Sequence, residues 1–188
     1  KMFLDPKKPL ETCTAGSCDH CLVKESVTCH FQAKHLLRFL SVAFLPFIAG
    51  GIGISRTNAL AIIPWVVLAL LYFGFIEIRV MCSHCPHYAE PSSKALQCWA
   101  NYGSPKLWKY RPGPMSGGEK WIFITGLVLI FGYPIPWVTF AGQWIWLGIY
   151  LVLTVVFAAM LSQLMCTRCM NFACPLNRVP QNIRKGFF

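Results

Sequence analysis

Four long apolar stretches, near Leu36–Ile54, Ala59–Ile78, Trp121–Ala141 and Trp144–Met165, alternate with polar segments rich in cysteine, lysine and arginine. Each is close to the ~20 residues a helix needs to cross a ~30 Å hydrocarbon core. Within hydrocarbon the backbone must satisfy its own hydrogen bonds, so helices are the expected form. Two of the connections are tight turns, Ser55-Arg56-Thr57-Asn58 and Gly142-Gln143. The pattern predicts an all-α integral membrane protein with four transmembrane helices in two hairpins, 35–80 and 120–165. A module at 1–34, a connection at 81–119 and a basic tail at 166–188 complete the chain and carry the cysteines.

Proline and tryptophan refine this picture. Pro86, Pro91, Pro105, Pro112 and Pro114 argue against a long helix in the central connection. Pro134 and Pro136 predict a kink in the third helix. Trp137, Trp144 and Trp146 fall at one end of the predicted bundle and Trp121 at the other, as in an aromatic belt.

Of the 188 residues only 13% are charged, against about 25% in soluble domains. All Lys and Arg except Arg56, and all seven acidic residues, fall on the side where the cysteines lie. The positive-inside rule then places that side, with both termini, in the cytoplasm of a cell membrane. The polar, cysteine-rich first 35 residues do not read as a cleavable signal peptide. The net charge of +10 is accounted for by topology and by anionic headgroups of the membrane lipid. No motif points to nucleic acid.

The ten cysteines form three groups: Cys13, Cys18, Cys21 and Cys29; Cys82, Cys85 and Cys98; and Cys166, Cys169 and Cys174. An even number of predicted spans separates each group from the next, so all share one compartment. Reducing conditions there oppose disulfides and favour metal ligation or thiol catalysis. The second and third groups repeat one design. Met81-Cys82-Ser83-His84-Cys85 and Met165-Cys166-Thr167-Arg168-Cys169 are both M-C-x-x-C at a helix exit, each with a third cysteine downstream and a Cys-Pro step.

A C-x-x-C pair can bite one metal or cluster from a single turn. The first group has four thiols and can fill a site alone; the two groups of three must share or exchange ligands. His84 and His87, and His20 and His30, are adjacent candidates for further ligands. Crowded thiols, Cys-Pro steps and the membrane setting point to iron–sulfur clusters of the 4Fe–4S type, one to two or more, with zinc as the alternative. No C-x-x-C-H occurs, which argues against covalent haem, and no predicted span contains histidine for a bis-histidine haem. No ionisable residue falls at mid-membrane, which argues against an ion pump.

The four spans, with Cys82-x2-Cys85-Pro86 and Cys169-x4-Cys174-Pro175 following the second and fourth, resemble the membrane ferredoxin-type proteins of nitrate and nitrous-oxide respiration. That family's own motif is C-x3-C-P. The resemblance implies electron transfer between quinol and partner subunits. Trp99, Tyr102, Trp108, Tyr110 and Trp121 are candidate quinone or interface contacts. The expected function is therefore a membrane-anchored iron–sulfur subunit of a larger redox complex, with other subunits and quinone as partners and no catalytic acid–base group of its own. Two alternatives follow from the same thiols: a zinc-stabilised docking subunit, and a protein of thiol–disulfide exchange or metal transfer.

Overall fold

The computed structural model describes residues 26–29, 31–89 and 93–185. Within them the chain is all-helical, with no strand; two isolated bridges, Thr28 with Cys169 and Ala95 with Pro105, are the only extended pairings. Three helical segments, Ala33–His84, Gly117–Phe140 and Trp144–Arg168, are long and apolar enough to cross a membrane.

The first of these folds back on itself. Helix α1 (Ala33–Asn58) ends where Asn58 turns to an extended conformation, φ −154°, and its side chain caps the Leu60 amide. A 3₁₀ turn, Ala59–Ala61, leads into α2 (Ile62–Leu71), a π-turn at Tyr72–Ile76 and α3 (Glu77–Val80). Phe47 then stacks on Trp65 at 5.6 Å and meets Phe73 edge-on at 6.1 Å, which only an antiparallel return allows. α1 runs four residues beyond the Ile54 expected from apolar pattern alone. Ser55 and Thr57 extend it by donating their hydroxyls back to the carbonyls of Ile52 and Gly53.

After the short helix α4 (Pro86–Ala89) and the central connection, the third rod comprises α5 (Gly117–Gly132) and α6 (Pro134–Phe140), broken at Tyr133 where the proline pair predicted a kink. Gly142, at φ +67°, makes the turn into α7 (Trp144–Met160), which continues through a second π-turn, Leu161–Met165. Helix α8 (Gln181–Lys185) closes the described chain.

The four rods alternate in direction. Trp65 Nε1 donates to Ile130 O and Tyr72 Oη to Phe123 O, so the second and third rods are antiparallel. Trp146 Nε1 donates to Ala49 O while Phe157 packs on Phe39, so the first and fourth are too. Tyr133 Oη to Ala61 O and Tyr150 Oη to Phe131 O complete a set of aromatic donors aimed at backbone carbonyls of neighbouring rods or turns. With apolar surface both inside and outside, these bonds and the close approach at glycine give the rods a unique register.

The outward faces are apolar: Ile145 is 84% exposed, Leu60 73% and Val155 66%. Water would disfavour such a surface; hydrocarbon does not. Polar packing collects at the end where α3 and the second π-turn emerge.

Candidate metal centre at the helix exits

Both C-x-x-C motifs adopt one backbone form. Met81 (φ −119°, ψ −53°) and Met165 (φ −103°, ψ −48°) each lead into a three-residue 3₁₀ turn, Cys82–His84 and Cys166–Arg168. Each turn ends on an extended cysteine: Cys85 at φ −80°, ψ 141° and Cys169 at φ −81°, ψ 130°. The causes differ. Pro86 excludes the helical region for Cys85. Cys169 has no following proline; it is held by its bridge to Thr28, whose amide donates to Arg168 O at 2.8 Å.

The third cysteine of the central group comes from a hairpin-like excursion. Leu96 N donates to Ser104 O and Lys106 N to Lys94 O, closing a loop turned by Gly103 at φ +84°. Cys98 lies at its tip, and the amides of Ala100 and Asn101 both donate to Cys98 Sγ at 3.4 Å. The same local arrangement recurs elsewhere. The His87 amide donates to Cys85 sulfur, that of Asn171 to Cys169, and those of Leu176 and Asn177 to Cys174. Thus Cys85, Cys98, Cys169 and Cys174 each receive the amide two residues downstream. Such bonds stabilise a ligating thiolate and tune the potential of a cluster bound to it.

These four sulfurs come from three separate segments of chain, and Cys85 and Cys169 each lie within electrostatic reach of Cys98 and Cys174. Burial pushes the Cys169 thiol well up, and Cys85, Cys174 and Cys98 add to the effect. Burial likewise raises Cys85, with Cys98 and Cys174 contributing, and raises Cys98. Cys174 is pushed up to about 12, chiefly by burial and then by Cys166. Cys82 lies within electrostatic reach of Cys98, Cys85 and Cys174, and its sulfur accepts a bond from Asn101 Nδ2 at 3.3 Å. Cys166 is buried, and its carbonyl accepts the Arg178 amide. Among the described residues no three His, Cys, Asp or Glu side chains are gathered tightly enough to hold a single metal ion as they stand.

Cys29 belongs to the segment paired with Cys169, and its thiol faces Val27 O at 3.9 Å. Cys13, Cys18, Cys21, His20 and His30 lie outside the described residues. The candidate histidine His84 is buried with Nδ1 3.1 Å from Gly113 O and Nε2 3.5 Å from Glu119 Oε2, so both nitrogens face groups other than sulfur. His87 is buried beside Cys85, to which it gives its amide.

The five candidate aromatic contacts are divided over three places. Trp99 packs edge-on against Phe39 and Tyr102 stacks on Phe31 at 4.2 Å, pinning the Cys98 loop to the start of α1. Trp108 and Tyr110 pack against the Ile78, Cys82, Tyr88 and Leu96 cluster. Trp121 is 74% exposed on α5.

Three asparagines and one glutamate complete the site, none of them singled out by the sequence pattern. Asn171 Nδ2 donates to Met81 O at 3.3 Å and so ties the second motif to the first. Asn177 Nδ2 donates to Cys169 O and Asn171 O, and is itself held by Arg184. Asn101 and Asn177 occupy equivalent places: each lies three residues beyond the third cysteine of its unit. That spacing, Cys98-x2-Asn101 and Cys174-x2-Asn177, is a further element of the internal repeat.

Glu119 caps α5 through a reciprocal bond with Ser116. Its carboxylate also pairs with Arg111, with Arg79 at 3.7 Å and with His84. One side chain therefore fastens the central connection to the exit of the first hairpin and the start of the second. Glu119→Gln is expected to lose about 1 kcal/mol, because the Arg79 and Arg111 side chains it pairs with are partly exposed and solvent weakens such pairs. Hydrogen exchange should quicken at 79–84 and 111–116 while the rods stay protected. Unchanged exchange there would show that the carboxylate is dispensable.

No protein-family model matches this chain, and no curated protein or solved structure is similar to it. The functional reading therefore rests on its own residues.

Proposed function

We propose that this chain is a membrane-embedded electron-transfer subunit whose thiolates hold iron–sulfur clusters at the cytoplasmic face. In this reading each of the four antiparallel rods crosses the bilayer. The fold-back at Asn58 supports this, since it divides Ala33–His84 into two arms of similar length. The basic residues of the connection and tail support a cytoplasmic orientation for the cysteine-bearing end.

The observation that carries the proposal is the shared geometry of Cys85, Cys98, Cys169 and Cys174. All four are remote in sequence or in separate turns, all gain an amide from two residues on, and Cys85 and Cys169 are each within electrostatic reach of the other three. Neutral thiols gain little from such amides; thiolates gain much. A cluster, in which each thiolate binds a different iron, can draw its ligands from separate segments of chain, as these four sulfurs are.

Thiol–disulfide exchange is less well supported: a nucleophilic cysteine has a lowered pKa, whereas desolvation pushes these four thiols up. Electrons would enter and leave near one face, because the rods themselves hold no residue suited to a redox centre. A soluble partner or a quinone at the interface would exchange them.

Anaerobic purification tests the proposal. Broad visible absorbance that bleaches with dithionite, and iron matched by acid-labile sulfide, are expected. Stoichiometric zinc without sulfide would replace electron transfer by a docking role. Free thiols with no bound metal would remove both readings.

A further inference from the structure

The central connection crosses the cysteine-bearing end of the bundle from one rod to another. At its tip Trp99 meets Phe39 edge-on at 5.4 Å and Tyr102 stacks on Phe31 at 4.2 Å, at the start of the first rod. At its base the Tyr88 hydroxyl accepts the Trp108 amide at 2.7 Å and Ser83 O accepts the Arg111 amide at 2.8 Å, beside the exit of the second rod. Trp108 and Tyr110 pack against Ile78, Cys82, Tyr88 and Leu96. Exposure alternates here as in a strand with one covered face: Pro105, Leu107 and Lys109 are exposed, whereas Lys106, Trp108 and Tyr110 are half-buried. Because the inner face rests on the bundle end, the outer face is turned away from the rods and toward water. Leu107 is 54% exposed on it. Lys94 is exposed at the mouth of the hairpin, where its carbonyl accepts the Lys106 amide at 3.0 Å. Residues 93–115 hold Lys94, Lys106, Lys109 and Arg111 and no acidic residue. Glu119 engages Arg111, but among the described residues neither Lys94 nor Lys109 forms an ion pair.

An apolar side chain flanked by uncompensated cations complements a protein surface of carboxylates around an apolar spot. Small contacts of this kind, steered by charge, serve the brief encounters of redox proteins. We propose that the outer face of this hairpin, at Lys94, Pro105, Leu107 and Lys109, docks a small acidic electron carrier. The lysines draw the carrier in and Leu107 supplies the central contact. Cys98 belongs to the same hairpin, so the carrier is seated over a ligand of the metal centre. One electron passes between the carrier's centre and the cluster; one is oxidised as the other is reduced, and no atom is transferred. That redox step rests on the function proposed above, whereas the docking surface does not. The same geometry decides against anionic lipid as the occupant, since a bilayer surrounds the rods and this face points away from them.

The test uses the full chain in discs of neutral phosphatidylcholine, with an acidic 2Fe–2S ferredoxin as the probe. Saturable binding at low ionic strength is expected, weakening steeply as salt is added. Lys94→Glu with Lys109→Glu should raise Kd about tenfold or more. Lys34→Glu with Lys120→Glu, exposed on α1 and α5, makes the same change in net charge and should leave Kd nearly unchanged. Leu107→Ser should weaken binding while keeping its salt dependence. Acetylation of Lys94 and Lys109 by acetic anhydride, read by mass spectrometry, should be suppressed by the ferredoxin and unaffected by phosphatidylglycerol in the discs. No binding by the unmodified chain would overturn the surface even if no variant folded. So would an equal loss in the Lys34 and Lys120 variant, or protection of Lys94 and Lys109 by phosphatidylglycerol alone, which would assign the face to the membrane. Binding is read apart from metal content. A chain that binds the ferredoxin but holds no iron would therefore sink the electron-transfer reading and uphold the docking surface.

Discussion

Alanine at Gly126 is expected to destabilise the bundle more than any other one-carbon addition to a rod. A Cβ there would sit inside the van der Waals surface of the Tyr72 ring, 2.7 Å from Cζ and closer still to Cδ2 and Cε2. Tyr72 cannot swing away, because it is 2% exposed and its hydroxyl donates to Phe123 O at 2.6 Å. It also opens the first π-turn, so moving the ring disturbs the segment that aims α3 at the cysteines. Overpacking of this kind costs about 3 kcal/mol at the upper end of its usual range. The thermal midpoint in detergent should fall by about 5–10 °C. Gly148→Ala is the matched control: nothing lies within 4 Å of the added carbon, and the midpoint should hold. Tyr72→Leu in the Gly126→Ala background should recover part of the loss, a coupling expected only for side chains that collide. A Gly126→Ala protein that melts like the parent would refute the close contact.

On the proposed function, serine at Cys85 and serine at Cys174 are expected to abolish the same metal centre, although 89 positions separate them in a chain of 188 (174 − 85 = 89). A serine hydroxyl keeps the shape of the side chain but is a poor ligand for iron or zinc at neutral pH. If the four amide-bonded cysteines form one ligand set, either substitution removes an identical part of the absorbance and metal content. The double substitution then removes nothing more. Metal affinity is also folding free energy when the unfolded chain has no formed site. Proteolysis within 93–115 should therefore accelerate in both variants, since the Cys98 loop is held by few bonds of its own. Additive losses, each in a distinct spectral feature, would instead assign Cys85 and Cys174 to separate centres.

Much of this arrangement is legible in the order of the residues. The apolar runs give all four rods to within a few positions, the proline pair gives the break at Tyr133, and M-C-x-x-C at two helix exits gives two turns of matching backbone. What escapes notice depends on contacts between distant segments. Ser55 and Thr57 look like turn residues but extend α1, because each hydroxyl finds a carbonyl one turn back. The π-turns share no compositional signature: Tyr72–Ile76 is as apolar as the helix before it, whereas Leu161–Met165 holds Ser162 and Gln163. His84 has the spacing of a ligand, yet Gly113 and Glu119 take its two nitrogens, and both arrive from the far end of the central connection. The asparagines are the most instructive omission. Only at sites that bind sulfur through backbone amides does an Asn three residues after a cysteine carry meaning, and that context is not apparent until the repeat is folded.

The link from Asn171 to Met81 has a bearing on biogenesis. A ribosome emits the central motif long before the segment that steadies it, and the intervening stretch includes the whole second hairpin. Until Asn171, Cys174 and Asn177 have been synthesised and brought back beneath the bilayer, the earlier thiols lack their closing partners. If the proposed clusters are bound, their loading would be a late event that follows membrane integration, and an arrested nascent chain ending before residue 171 should be unable to retain metal at Cys85.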